Sequence, residues 1–142
     1  MEKRSCDVLV IGNGAAGLRA AIAAREAGRE VLVLSKSPPE LGTCTLLSGG
    51  GLGGALGGLS PGEHRAKTLH SGRGINQPDL LELFVEEAPL RIQELAAWGM
   101  KISLSSGMAM ALGAPPAVGR EIIRTLLDRA RTGEGADARG RR

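Results

Sequence analysis

Gly12, Gly14 and Gly17 stand in the spacing G-x-G-x-x-G, with Ala15 and Ala16 between the last two. Such a turn frees backbone N–H groups at the start of a helix, where the macrodipole favours negative charge, so the group it suits is a pyrophosphate. Gly12 permits the tight turn, Gly14 lets backbone approach the phosphates, and Gly17 lets the helix pack close to the strand before it. In a chain with 22 glycines the fingerprint is weak alone. It gains meaning from a buried strand ahead of it and a helix behind it. Ser35 and Lys36 stand where the common dinucleotide pattern has an acidic residue that accepts ribose hydroxyls. A serine can still bond a hydroxyl and a lysine can meet a phosphate, so these two residues leave NADP open. His64 and His70 have no partner at metal or triad spacing and read as structural or solvent-exposed. Cys6 and Cys44 form neither C-x-x-C nor a metal spacing, which makes a reduced, cytoplasmic setting the expectation.

The elements that must hold these residues are legible around them. Asp7 to Ile11 is short and, from Val8 on, continuously apolar and rich in β-branched residues, as expected for a strand buried on both faces of a parallel sheet. Leu18 to Ala27 is Ala-rich and free of breakers, and Gly28 is placed to end it as a helix. Val31 to Leu34 is a second strand. Together these form a βαβ unit, and a right-handed crossover makes the strands parallel neighbours. Ser35 to Gly62 follows as a long loop, a length that within a compact domain points to function or disorder. A further helix is expected from Pro78 to Gly99, capped by Asn76 with Asp79 completing a capping box, and kinked or divided at Pro89. Leu81, Phe84, Ala88, Ile92 and Leu95 are its expected core face, and Trp98 a core residue beside the Gly99 turn. Met100 to Leu104 is a candidate strand, Ala114-Pro115-Pro116 a break, and Gly119 to Arg131 an amphipathic helix with Ile122, Ile123, Leu126 and Leu127 inward.

Charge and composition narrow the class. From Arg129 to Arg142 there are five arginines and two acids, which accounts for the whole net charge of +3. The basic character therefore belongs to a disordered Gly/Arg-rich tail at 133–142, not to a folded face, and argues against a nucleic-acid partner. Leu41 to Gly62 carries no charge, but its nine glycines and one proline rule out a spanning helix, so no direct membrane insertion is expected. With one Phe, one Trp and no Tyr, Leu, Ile, Val and Ala must do nearly all the packing, and the isolated chain is expected to be marginally stable.

Residues 6–59 carry a closer likeness. CDVLVIGNGAAGLRAAIAAREAG, VLVLSKSPPE and TCTLLSGGGLGG together resemble the start of succinate dehydrogenase and fumarate reductase flavoproteins, and L-aspartate oxidase is similar. The resemblance continues, more weakly, to residue 131. It implies an α/β fold, a Rossmann-like FAD/NAD(P)-binding βαβ unit with a parallel sheet, incomplete relative to the family, in a partial FAD-binding domain over 1–132. It implies FAD as the cofactor, with Gly12, Gly14, Ala15, Ala16 and Gly17 around the pyrophosphate and Ser35 and Lys36 near the adenosine end. Thr43, Cys44, Thr45, Ser48, Gly49, Gly50 and Gly51 would lie along the flavin side. Membrane-complex members join a histidine covalently to the flavin in a Ser-His-Thr context, where this chain has Thr43-Cys44-Thr45, so the implied FAD is non-covalent and Cys44 a small packing residue. An electron-transfer subunit is the implied partner of a full-length form, and hydride transfer between flavin and a small organic acid its chemistry. No catalytic residue of that family matches a position here, so the chain is expected to be a truncated, non-catalytic portion; an NADP module or a non-functional truncated gene product are the alternatives.

Overall fold

The computed structural model describes residues 3–112 and 118–132. The described residues divide into two compact units, one made of residues 3–48 and 119–132 and the other of residues 49–112 and 118.

In the first unit, β1 (Val8–Ile11) leads through the glycine turn into α1 (Ala15–Glu26), which returns to β2 (Val31–Leu34). The strands pair in parallel, Val8 opposite Val31 and Ile11 opposite Leu34, as the βαβ reading requires. α1 starts three residues earlier than its Ala-rich run predicts, because the glycine turn itself winds into the first helical turn. Leu18, Ala21 and Ile22 form its buried stripe. Gly28, at φ +75°, closes the helix in a Schellman motif: its N–H reaches the Arg25 carbonyl at 2.8 Å and the Arg29 N–H the Ala24 carbonyl at 3.0 Å. The expectation of strands buried on both faces does not hold. Leu9 is 52 % and Ile11 79 % exposed, so one face of the pair is uncovered. A continuously apolar strand specifies two covering layers, and the described residues supply one.

The predicted loop after β2 is not structureless. It contains a short helix, α2 (Cys44–Leu47), and, in the second unit, β3 (Leu52–Gly53). α3 (Pro61–Ser71), α4 (Pro78–Ala97), β4 (Ile102–Ser105) and β5 (Met108–Ala111) complete that unit, with β3, β5 and β4 in one antiparallel sheet. The candidate strand at 100–104 thus starts two residues later and ends one later than expected, and belongs to a hairpin turning at Ser106-Gly107, both at positive φ. α3 lies where the sequence suggests no element. It places His64 5 % exposed against Phe84, ring centroids 5.2 Å apart, and leaves His70 exposed.

α4 runs unbroken through Pro89 for 20 residues, so the proline does not divide the helix. Its N-cap is Gln77 without a side-chain bond, not Asn76. Pro78 occupies the first helical position and moves Asn76 one residue outside the cap, where its Nδ2 donates to the Thr68 carbonyl at 3.4 Å. The buried stripe is Leu81, Val85, Ala88 and Ile92. Phe84, at 45 % exposure, is not core, and Leu95 is half-buried. Gly99 ends the helix in a second Schellman motif, with Trp98 half-buried at the cap.

α5 (Val118–Thr132) returns the chain to the first unit. Ile122, Ile123 and Leu126 are buried as expected and Leu127 is half-buried. Arg25 Nη1 donates to the Ala130 carbonyl at 2.9 Å and Arg129 pairs with Glu26 at 2.7 Å, tying α5 to α1. A Cβ at Gly119 would collide with the Thr45 carbonyl oxygen, so backbone approaches backbone there. The break at 114–116 and the tail at 133–142 lie outside the described residues.

Candidate functional site

The glycine turn of the first unit is built by backbone conformation and close approach. Gly12 has φ +107°, a region that favours glycine, and its N–H donates to the Leu34 carbonyl at 2.8 Å, locking the end of β1 to the end of β2. At Gly17 the limit is space: a Cβ there would strike the Gly12 carbonyl, so α1 comes this close to the turn only with glycine. Gly14 is the N-cap of α1, in extended backbone with no side chain to cap the helix. Bonding along α1 begins with the Leu18 N–H on the Gly14 carbonyl at 3.0 Å. The N–H groups of Ala15, Ala16 and Gly17 therefore find no acceptor within the helix. Ala15 N–H donates instead to Thr45 Oγ1, 3.1 Å away.

An open cavity of about 440 Å³ lies against this turn. Seven of the expected residues line it: Gly12, Gly14, Ser35, Lys36, Thr43, Cys44 and Thr45, with Ile11, Asn13, Leu34, Ser37 and Gly42 completing the wall. Among these lining residues there is one cation, Lys36, and no carboxylate. An uncapped helix N-terminus beside a lone lysine suits an anion, and the apolar ends of the two strands give flat surface beside it. The two hydroxyls from α2 are already engaged. Thr43 Oγ1 accepts the Leu46 N–H at 3.1 Å as the N-cap of α2, and Thr45 holds Ala15. Cys44 is an exposed free thiol between them.

The remaining expected residues are placed elsewhere. Ala15, Ala16 and Gly17 form the first turn of α1. Ser48 caps the end of α2, donates to the Thr45 carbonyl at 2.7 Å and does not line the cavity. Gly49, Gly50 and Gly51 belong to the second unit. Gly50 is at φ +84°, and a Cβ at Gly51 would run into Met108 and Met110 of β5, which gives Gly50 and Gly51, though not Gly49, a structural reason of their own.

Five lining residues are not among the expected ones, and Asn13 is the buried one of the five. Asn13 fills an unspecified position of the fingerprint, is only 5 % exposed, and donates from Nδ2 to the Ser37 carbonyl at 2.6 Å. The glycine turn is thereby fastened to the loop after β2 across 24 residues of sequence. An Asn in a turn reads from sequence as a turn former, and only the fold brings Ser37 within its reach.

Comparison with known proteins bears on this geometry. Residues 7–140 match the family model described as an FAD binding domain. The chain belongs to that family. FAD is accordingly its cofactor, in agreement with the resemblance carried by the loop after β2. A fumarate reductase (CoM/CoB) subunit of Methanothermobacter marburgensis is 37 % identical over 102 residues, covering 69 % of this chain and 19 % of that protein. The L-aspartate oxidase of Mycobacterium leprae is 39 % identical over 106 residues, covering 72 % and 20 %. Among solved structures, the apo form of the Mycobacterium smegmatis Sdh1 complex superposes with a TM-score of 0.85 at 33 % identity, over 99 % of this chain and 26 % of that one. The chain thus spans about a fifth of the length of the curated relatives it matches. No helix among the described residues is long and apolar enough to cross a membrane.

Proposed function

We propose that the first unit holds the ADP half of a non-covalently bound FAD in a flavoprotein oxidoreductase of the succinate dehydrogenase/fumarate reductase type. The observation that carries this reading is the glycine-capped N-terminus of α1 opening on a cavity with one lysine and no carboxylate. In it, the amides of Ala16 and Gly17, with Ala15 shared or released by Thr45, take the pyrophosphate, while Gly12 and Gly14 keep side chains out of its way. Ser35 and Lys36 lie toward the adenosine. Thr43, Cys44, Thr45 and Ser48 extend toward the flavin. Cys44 offers no imidazole for a histidyl link, and a cysteinyl link forms no part of this reading.

When bound, the flavin supplies hydride exchange with a small organic acid, and the protein's part is to bind, orient and shield it. The part this chain plays in that reading is to bind the cofactor. In this reading the flavoprotein passes electrons to a partner protein in a reducing, cytoplasmic setting, consistent with the unbridged Cys6 and Cys44.

Titration of FAD into the full chain, followed by flavin fluorescence and by retention on a desalting column, tests the reading. Saturable binding that survives Cys44→Ser and is released by denaturation with free flavin in the supernatant is expected. Flavin that stays with the denatured chain would contradict the non-covalent mode. Binding of NADP in preference to FAD, or of neither, would overturn the cofactor assignment for this chain.

A further inference from the structure

Resting on the FAD reading above, we propose that Asn13 supplies the hydrogen-bond acceptor for the adenosine ribose, the task that the dinucleotide pattern gives to an acidic residue at the end of the second strand. At the end of β2 this chain has Ser35-Lys36, and no carboxylate lines the cavity. A ribose diol binds best to a fixed acceptor. Ser35 is a weak substitute, since its hydroxyl must turn its lone pairs toward the sugar, and Lys36 can only donate.

Asn13 meets the requirement. Its amide orientation is determined, because the Ser37 carbonyl at 2.6 Å can only accept, so the NH₂ must face it and Oδ1 must face away. Among the described residues no donor reaches Oδ1. Nor is that oxygen among the buried polar atoms left without a partner, which are His64 Nδ1, Asn76 Oδ1 and Thr125 Oγ1. Asn13 as a whole is 5 % exposed, yet its oxygen stays open. The residue also lines a second cavity, of about 490 Å³, that shares Ser35, Lys36 and Ser37 with the first. The open oxygen therefore belongs to a side chain common to the two hollows beside the end of β2. The Nδ2 bond fixes it in advance, and a preset acceptor loses little entropy on binding.

The test uses the full chain with ADP, 2′-deoxy-ADP and 3′-deoxy-ADP as probes in calorimetric titrations, with FAD titrated alongside. The wild type should bind ADP about 3- to 10-fold more tightly than the weaker of the two deoxy analogues, the span expected for one hydrogen bond. Asn13→Ala should erase that difference. Asn13→Asp loses the donor to Ser37 but retains an acceptor, so it should bind all three probes more weakly and keep the difference between them. Far-UV circular dichroism checks the helices of each variant, and if Asn13→Ala does not fold, the wild type and Asn13→Asp decide. A wild type indifferent to both hydroxyls, or a difference that persists in folded Asn13→Ala, or one that vanishes in Asn13→Asp, overturns the role of Asn13 and leaves the FAD reading standing. A wild type that binds neither FAD nor ADP overturns both.

Discussion

Gly12 and Gly17 are both glycine, for different reasons, and their substitutions should fail differently. Alanine at Gly12 meets nothing in space but must hold φ near +107°, a conformational penalty of about 1–2 kcal/mol. Alanine at Gly17 has an ordinary backbone but strikes the Gly12 carbonyl, which forces α1 away from the turn and costs about 1–3 kcal/mol. In thermal melts both variants lose stability, and Gly17→Ala, which moves the helix N-terminus itself, should also lower FAD affinity at least tenfold. A Gly17→Ala chain that melts lower and still binds FAD like the wild type would contradict this. Thr45→Val leaves Ala15 N–H without its acceptor while keeping side-chain volume, so it should cost about 1 kcal/mol in the ligand-free chain and less once FAD saturates the site. A pair of denaturant titrations, with and without FAD, measures the difference. The glycines are legible because their spacing encodes a backbone shape. Asn13 and Thr45 are not legible in these roles, because their partners, Ser37 and Ala15, are 24 and 30 residues away.

At the scale of elements, α3 shows a signal that is present in the sequence and easily passed over. Ser60-Pro61-Gly62-Glu63 is a capping box with proline at the first helical position: Ser60 Oγ accepts the Glu63 N–H at 3.3 Å and Glu63 Oε2 accepts the Ser60 N–H at 2.9 Å. Ser60→Ala should destabilise α3 by about 1 kcal/mol. The hydroxyl and backbone N–H of Ser60, with Lys67 nearby, hold the Glu63 carboxyl below its usual range. A lowered folded pKa means the box contributes above the unfolded value of the group and is lost as pH falls through the folded one. The penalty of Ser60→Ala should therefore be full at neutral pH and shrink in acid, as hydrogen exchange of the α3 amides would report. The helix ends at Gly28 and Gly99 are legible from glycine alone. The inward face of α4 is harder to read, for a physical reason. Leu80, Leu83, Phe84 and Leu90 form an exposed apolar stripe beside the buried one, and periodicity cannot choose between two stripes on one helix. The sheet of the second unit escapes because β3 is two residues long and rich in neighbouring glycine.

Over the whole molecule, the apolar face of the β1–β2 pair is the main liability. Leu9, Ile11 and Leu34 are exposed on one face of two strands whose outer edges are unpaired among the described residues. Such edges promote pairing between chains, so light scattering should rise with concentration and an apolar dye should bind. Two apolar-to-charged substitutions on that face, Leu9→Lys and Ile11→Lys, should suppress both. FAD at a hundredfold excess over its dissociation constant should stabilise the unit that binds it by about 2.7 kcal/mol. A calorimetric transition that does not move with FAD would exclude tight binding to the folded chain. The βαβ architecture is legible because one covered face and a right-handed crossover suffice to define it. The uncovered face is not, since an apolar strand describes the neighbours it is suited to and cannot report which of them a given stretch of chain provides.

Trp98 is the single tryptophan of a chain without tyrosine, and it sits half-buried at the C-cap of α4. All intrinsic indole emission therefore originates from one ring at one helix end in residues 49–118, while a bound flavin would emit in the visible from residues 1–48 and 119–132. The protein carries its own two-colour optical readout. During unfolding, indole emission follows the helical and antiparallel unit and the yellow emission follows the βαβ unit, so a single cuvette can establish whether the two melt as one cooperative body or in separate steps.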